Sequence, residues 1–237
     1  MLADSLNTYA PPFETVELRK QLTSFLNQRV PDPNSKKQVA LGNYKFGVYA
    51  FFDYDGEPIY VGQTNERLRT RIRRHLTNQR TDAVAMKVLD PFEVYEIEVW
   101  PPPQYESLPT SAAKAKAHLN WLELTLFKAL LKKSHFRAVL NEKNPPEATD
   151  NGYTLPPSWR GKVVSGEVFR IRNHPDTRIA RRSETLSLLA KVISERQVQK
   201  GLRRTLLTQA KRLAWLAERR LDALASLPEG SEINDEQ

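Results

Sequence analysis

The chain has 237 residues, 40% of them hydrophobic, and 36 lysines and arginines against 28 aspartates and glutamates, for a net charge of +8. This content supports one large domain, or a domain with a smaller lobe, and excludes a disordered chain. The lack of cysteine excludes disulfides, thiolate nucleophiles and cysteine-ligated zinc, and the basic balance favours polyanionic partners, nucleic acid first.

Residues 1–12 read as a loose arm ending in Pro11 and Pro12. Residues 13–29 fit an amphipathic helix with Phe13, Val16, Leu18, Leu22, Phe25 and Leu26 as its apolar set. VPDPNSKK is a turn-rich linker. Strands are expected at 46–53 and 58–63, joined by an Asp55-Gly56 hairpin signal. A helix follows over 65–77, a strand over 92–99, a loop at PPPQYESLP and a helix over 111–133. Residues 147–162, with Gly152, Pro156, Pro157 and Gly161, read as a crossover linker, and VSGEVFRIR as a short strand. Residues 183–227 read as two helices, with Ser183 as an N-cap and Gly201 as a break. The tail from Pro228 is short and acidic.

The expected organisation is an arm and helix over 1–43, an α+β unit over 44–150, and a basic linker with a helical lobe over 151–237. Charges interrupt every apolar run, so no membrane span is expected. The N-terminus has no basic start followed by an apolar stretch, so no secretory signal is read and a cytoplasmic location is the default expectation.

Side chains alternate faces along a strand. Val48, Ala50 and Phe52 share one face, which places Tyr49 on the other. Ile59 and Val61 are expected to share a face, which places Tyr60 opposite them. Both tyrosines then point to one side of the hairpin. Arg67, Arg71 and His75 form a stripe at helical spacing beside a packing stripe of Leu68, Ile72 and Leu76. Arginine's planar fork suits phosphate oxygens, although a solvated basic face explains this helix equally well.

Glu123 is the sole acidic residue between Glu106 and Glu142, on a helix apolar nearly all round. A carboxylate there needs a cationic partner. That partner is either a lysine or arginine, or a divalent cation such as Mg2+. Tyrosine, with an ordinary pKa of about 10, accepts a proton only beside cations. On chemistry alone His75 is the candidate base.

Residues 158–182 hold Arg160, Lys162, Arg170, Arg172, Arg178, Arg181 and Arg182 against Glu167 and Asp176. That reads as a phosphate-contacting loop or as a solvated connector. Arg67 and Arg74 on the first arginine-rich helix, with Arg172, Arg181 and Arg182, are the expected DNA contacts. Leu202, Leu206, Leu213, Leu216, Leu221 and Leu224 suggest a packed helical pair or a dimer interface.

Together these parts resemble the GIY-YIG nuclease superfamily over roughly residues 44–145. The name-giving triplets stand here as Gly47-Val48-Tyr49 and Tyr60-Val61-Gly62, with valine for isoleucine in each. Arg71, His75, Glu123 and Asn141 match the helix arginine, its histidine, the metal-binding glutamate and the later asparagine. The interval to Asn141 is longer than usual, and Asn144 is its rival.

The resemblance implies a small three-stranded antiparallel sheet flanked by helices. It further implies DNA hydrolysis to 5′-phosphate and 3′-hydroxyl ends with one Mg2+ or Mn2+ at Glu123. Tyr49 would be the base, aided by Tyr60 or His75, and Arg71 would stabilise charge on the phosphate. Double-stranded DNA is the expected substrate, and a homodimer fits an enzyme that cuts both strands. A stand-alone restriction or defence nuclease is the favoured subclass. A repair or mobile-element nuclease and a non-catalytic DNA-binding module are the alternatives.

Overall fold

A computed structural model describes residues 13–34, 37–77 and 88–226. The expected N-terminal arm and the acidic tail from Pro228 lie outside the described residues. Helix α1 (Phe13–Asn27) buries Leu18, Leu22, Phe25 and Leu26, the i, i+4, i+7 stripe of an amphipathic helix. The stretch read as a turn-rich linker is bracketed by two short antiparallel strands, β1 (Arg29–Pro31) and β2 (Gln38–Ala40).

Strands β3 (Gly47–Phe52) and β4 (Pro58–Thr64) form the expected hairpin. Every residue of β3 is buried, because helices cover both faces of the sheet. Its sequence therefore runs apolar without polar alternation. Helix α2 (Leu68–Leu76) packs Leu68, Ile72 and Leu76 inward, as its spacing requires. Strand β5 (Glu96–Trp100) begins later than expected, since Pro91 opens a single helical turn in which Asp90 accepts a hydrogen bond from the Phe92 amide. Helix α3 (Ala113–Lys133) follows.

Among the described residues the main sheet has four strands, ordered β4-β3-β5-β6, rather than three. The fourth, β6 (Trp159–Lys162), falls in the stretch read as a crossover linker and pairs antiparallel with β5. VSGEVFRIR is not a strand. Ser165 caps a helix there, accepting from the Val168 amide, and α4 spans Gly166–Arg172. Helix α5 (Pro175–Glu195) starts earlier than expected, with Pro175 in its first turn and His174 as its cap, so Ser183 lies inside it. Helix α6 (Lys200–Ala225) starts just before Gly201. That glycine is a point of close approach rather than a break, because a Cβ there would overlap the Glu142 carbonyl oxygen.

One core joins α1, α2 and the C-terminal helices to the Tyr49 face of the sheet. The other joins α3 to the Val48 face. Leu189, Ile193 and Leu202 share the first core with Leu22 and Tyr49, so the segments before 44 and beyond 150 pack continuously with the central unit. Among the described residues no helix is long and apolar enough to cross a membrane.

Candidate active site

Tyr49 and Tyr60 do lie on one side of the hairpin, by a route that differs from simple alternation. Phe51 pairs with Tyr60 and Phe52 with Pro58, so Ile59 is an extra residue in β4. The bulge turns Ile59 into the Tyr49 core, while Val61 stays with Val48 and Ala50. The expectation that Ile59 and Val61 share a face is thereby corrected.

Tyr49 is fully buried, with its hydroxyl 2.8 Å from His75 Nε2. Arg71 Nε donates to the same oxygen at 3.3 Å. The Tyr60 ring stacks on Tyr49 at 6.3 Å and lies 5.0 Å from His75. Gly62, opposite Tyr49 in the register, makes this arrangement fit: a Cβ there would stand 2.7 Å from the Tyr49 hydroxyl.

Burial sets the titration of the group. It pushes the Tyr49 hydroxyl well above its ordinary value; Tyr60 and Glu123 push the same way, and Arg71 opposes them. Burial, reinforced by the charges of Arg71 and Arg74, takes His75 down to about 3. His75 is therefore neutral near pH 7, and its buried Nδ1 has no hydrogen-bond partner.

Glu123, half-buried on α3, lies within hydrogen-bond reach of Gln63 on edge strand β4 and in the field of Arg71. Burial raises its carboxyl to about 7, and a hydrogen bond from Gln63 with the charge of Arg71 offsets only part of that cost. Gln63 also donates to Asn120 Oδ1 at 2.8 Å. Sequence reading missed Gln63, although its place directly after the second triplet was a usable signal.

Asn141 does not join this constellation. Its amide spans the Val61 backbone, accepting from the Val61 amide at 3.0 Å and donating to its carbonyl at 2.7 Å. It therefore fixes the strand between Tyr60 and Gly62. The rival, Asn144, accepts from Arg204 at 2.9 Å.

The expected DNA contacts divide sharply. Arg67 is exposed at the start of α2, and Arg74 is half-buried and pairs with Glu66. Arg182 is 2% exposed and locked to Asp53 and Glu93, each at 2.8 Å. Arg172 is 1% exposed, 4.1 Å over the Phe92 ring and 3.3 Å from Glu14. Neither is available to a duplex, which removes both from the expected DNA contacts, while Lys162 and Arg170 of the same stretch are exposed. Arg181 pairs with Glu14 at 3.1 Å.

A different basic surface lies between α1 and α2. Arg19, Thr23, Arg73 and Thr77 line a groove there. Beside it Arg69 donates to Asn27 Oδ1 at 2.8 Å, and within it Arg73 donates to the Thr23 hydroxyl at 2.7 Å. Among the described residues no carboxylate pairs with Arg19, Arg67, Arg69 or Arg73. Burial, then the charges of Arg73 and Arg67, hold Arg69 below the ordinary arginine range.

Among known families, the GIY-YIG catalytic domain matches residues 45–106. No curated protein and no solved structure matches the chain significantly. The matched segment holds both triplets, Arg71 and His75, the groups that the fold gathers around one phenolic oxygen. Over residues 45–106, therefore, the chain is similar to the catalytic domain that gives the GIY-YIG nuclease superfamily its name.

Proposed function

We propose that this protein is a divalent-metal-dependent endonuclease that hydrolyses DNA phosphodiester bonds to 5′-phosphate and 3′-hydroxyl ends. The observation that carries the reading is the Tyr49 hydroxyl, held between Arg71 and His75 in the field of Glu123.

Glu123 fits a single cation. Its half-buried carboxylate has no lysine or arginine in direct contact among the described residues, and its charge is under-compensated. Among the described residues no cluster of three or more metal-ligating side chains exists. One carboxylate, with waters and phosphate oxygens completing the sphere, suits Mg2+ or Mn2+. When bound, the ion supplies positive charge that stabilises the leaving 3′ oxygen.

The protein's own groups do the rest. Water attacks phosphorus, the bond to the 3′ oxygen breaks, and that oxygen takes a proton from solvent to leave as the 3′-hydroxyl. Tyr49 takes the water proton as its own passes along the 2.8 Å hydrogen bond to His75 Nε2. The phosphate charge favours that transfer by lifting the basicity of His75. Arg71 faces the charge that builds on the phosphate, and Tyr60 walls the site. Arg67 and the α1–α2 groove provide cations for the flanking backbone.

A restriction or defence role is the subclass we favour, since the described segments outside 45–106 pack onto the matched core. Plasmid nicking tests the whole reading. Wild type should cut with Mg2+ or Mn2+, and EDTA, Glu123→Gln and Tyr49→Phe should each stop it while DNA binding persists. A discrete fragment ladder would support the restriction assignment. Binding without cutting by the folded wild type would make the protein a DNA-binding module.

A further inference from the structure

Helix α6 has a buried face of mixed polarity and a separate apolar stripe. The first buries Leu202 and Leu216, with Thr205, Gln209 and Arg212, against the core and α5. The second, on the opposite side, runs Leu207, Ala210, Ala214, Ala217, Leu221, Leu224. Its spacing alternates three and four residues, the seven-residue repeat that seams one helix to another. Leu207, Leu221 and Leu224 are 56%, 67% and 44% exposed. Ala214 and Ala217 are exposed and Ala210 is half-buried.

The stripe is self-complementary about the midpoint between residues 215 and 216. In an antiparallel pair Leu207 meets Leu224 of the second copy, Ala210 meets Leu221, and Ala214 meets Ala217. Large residues close the two ends, and small ones let the backbones approach at the centre. The flanking charges fit the same register. Lys211 and Glu218 are exposed, and among the described residues neither is paired with an opposite charge. Antiparallel pairing sets Lys211 of each copy beside Glu218 of the other. A parallel pairing sets Lys211 against Leu206 and Glu218 against Leu213, and leaves both charges unmatched.

We propose that this stripe is the seam of a homodimer, and that its occupant is a second copy of this chain in antiparallel register. The inference goes beyond the nuclease reading and does not rest on it. An isologous contact of this kind is self-complementary by its two-fold symmetry.

The test uses the full chain in sedimentation equilibrium and a crosslinking experiment made clean by the absence of native cysteine. Wild type should sediment at twice the 27.2 kDa chain mass. Leu221→Lys, at a site exposed in the single chain, should sediment at the single mass with an unchanged circular dichroism spectrum. An Ala214→Cys chain mixed with an Ala217→Cys chain should form a disulfide dimer on oxidation, since facing seam positions bring two Cβ atoms within bridging range. Neither variant alone should do so. A wild type of single mass at every concentration overturns the proposal. Crosslinking of Ala217→Cys alone marks a parallel seam and overturns the register.

Discussion

The β3–β4 hairpin supports two buried polar clusters with opposite balances of charge. Near its turn Asp53 accepts from Arg182 at 2.8 Å and from Arg212 at 2.6 Å. Glu93 takes Arg182 at 2.8 Å, and Asp55 pairs with Arg178. Burial pushes the Glu93 carboxyl up, but Arg212 and Arg182 outweigh it and hold it below the usual range. Along the strands the balance fails. Glu123 rises to about 7, and His75 keeps a buried nitrogen without a partner. Arginine content is therefore a poor guide to a ligand surface, because matched charges build the molecule and mismatched ones await something from outside.

The sharpest way to test this contrast is to remove one group from each cluster. Tyr49→Phe keeps the ring but removes the oxygen proposed to relay the proton, and single-turnover cleavage should fall about 10³-fold or more. Arg212→Met leaves Asp53 and Glu93 under-compensated, and urea unfolding should show a loss of about 3–5 kcal/mol. Equal stability of that variant and wild type would end the claim that this cluster holds the fold.

The third effect is smaller and has a sign. The folded-state carboxyl of Glu123 is raised from 4.5 to about 7. Its folding cost is therefore absent below pH 4.5, grows as pH rises through 7, and is constant above that. Glu123→Gln should be more stable than wild type at pH 8 by roughly 1–3 kcal/mol, and the two should converge near pH 4. A constant gap across that window would refute the assignment. The smallest effect concerns the α1–α2 groove. In the Glu123→Gln background, adding Arg19→Gln and Arg73→Gln should flatten the salt dependence of DNA binding by about 0.9 in slope for each phosphate left without its arginine. Arg181→Gln, whose charge is taken up by Glu14, should leave the slope unchanged.

Much of the β3–β4 hairpin is written in local pattern. The parity of β3, the α2 packing stripe and the isolated Glu123 all depend on neighbours a few positions away. What stayed hidden depends on distant partners. Arg182 finds Glu93 and Asp53 across 89 and 129 residues, so nothing near 182 tells a buried arginine from a solvated one. The Ile59 bulge is invisible because an extra residue leaves composition unchanged. WRGK alternates only between half-buried and exposed positions, too short a pattern to stand out, and becomes a strand because β5 offers it an edge.

The Asn141 amide has a consequence beyond geometry. Strand β4 closes one side of the main sheet, and the backbone of such a strand is a template for uncontrolled addition of another chain. Asn141 occupies both polar groups of Val61, and the Leu140 amide takes the Ile59 carbonyl at 2.9 Å. Two residues of irregular chain thus stand in for a fifth strand and guard the sheet against aggregation. Loss of that guard, as in Asn141→Leu, would surface first as light scattering on storage and only secondarily as slower cutting.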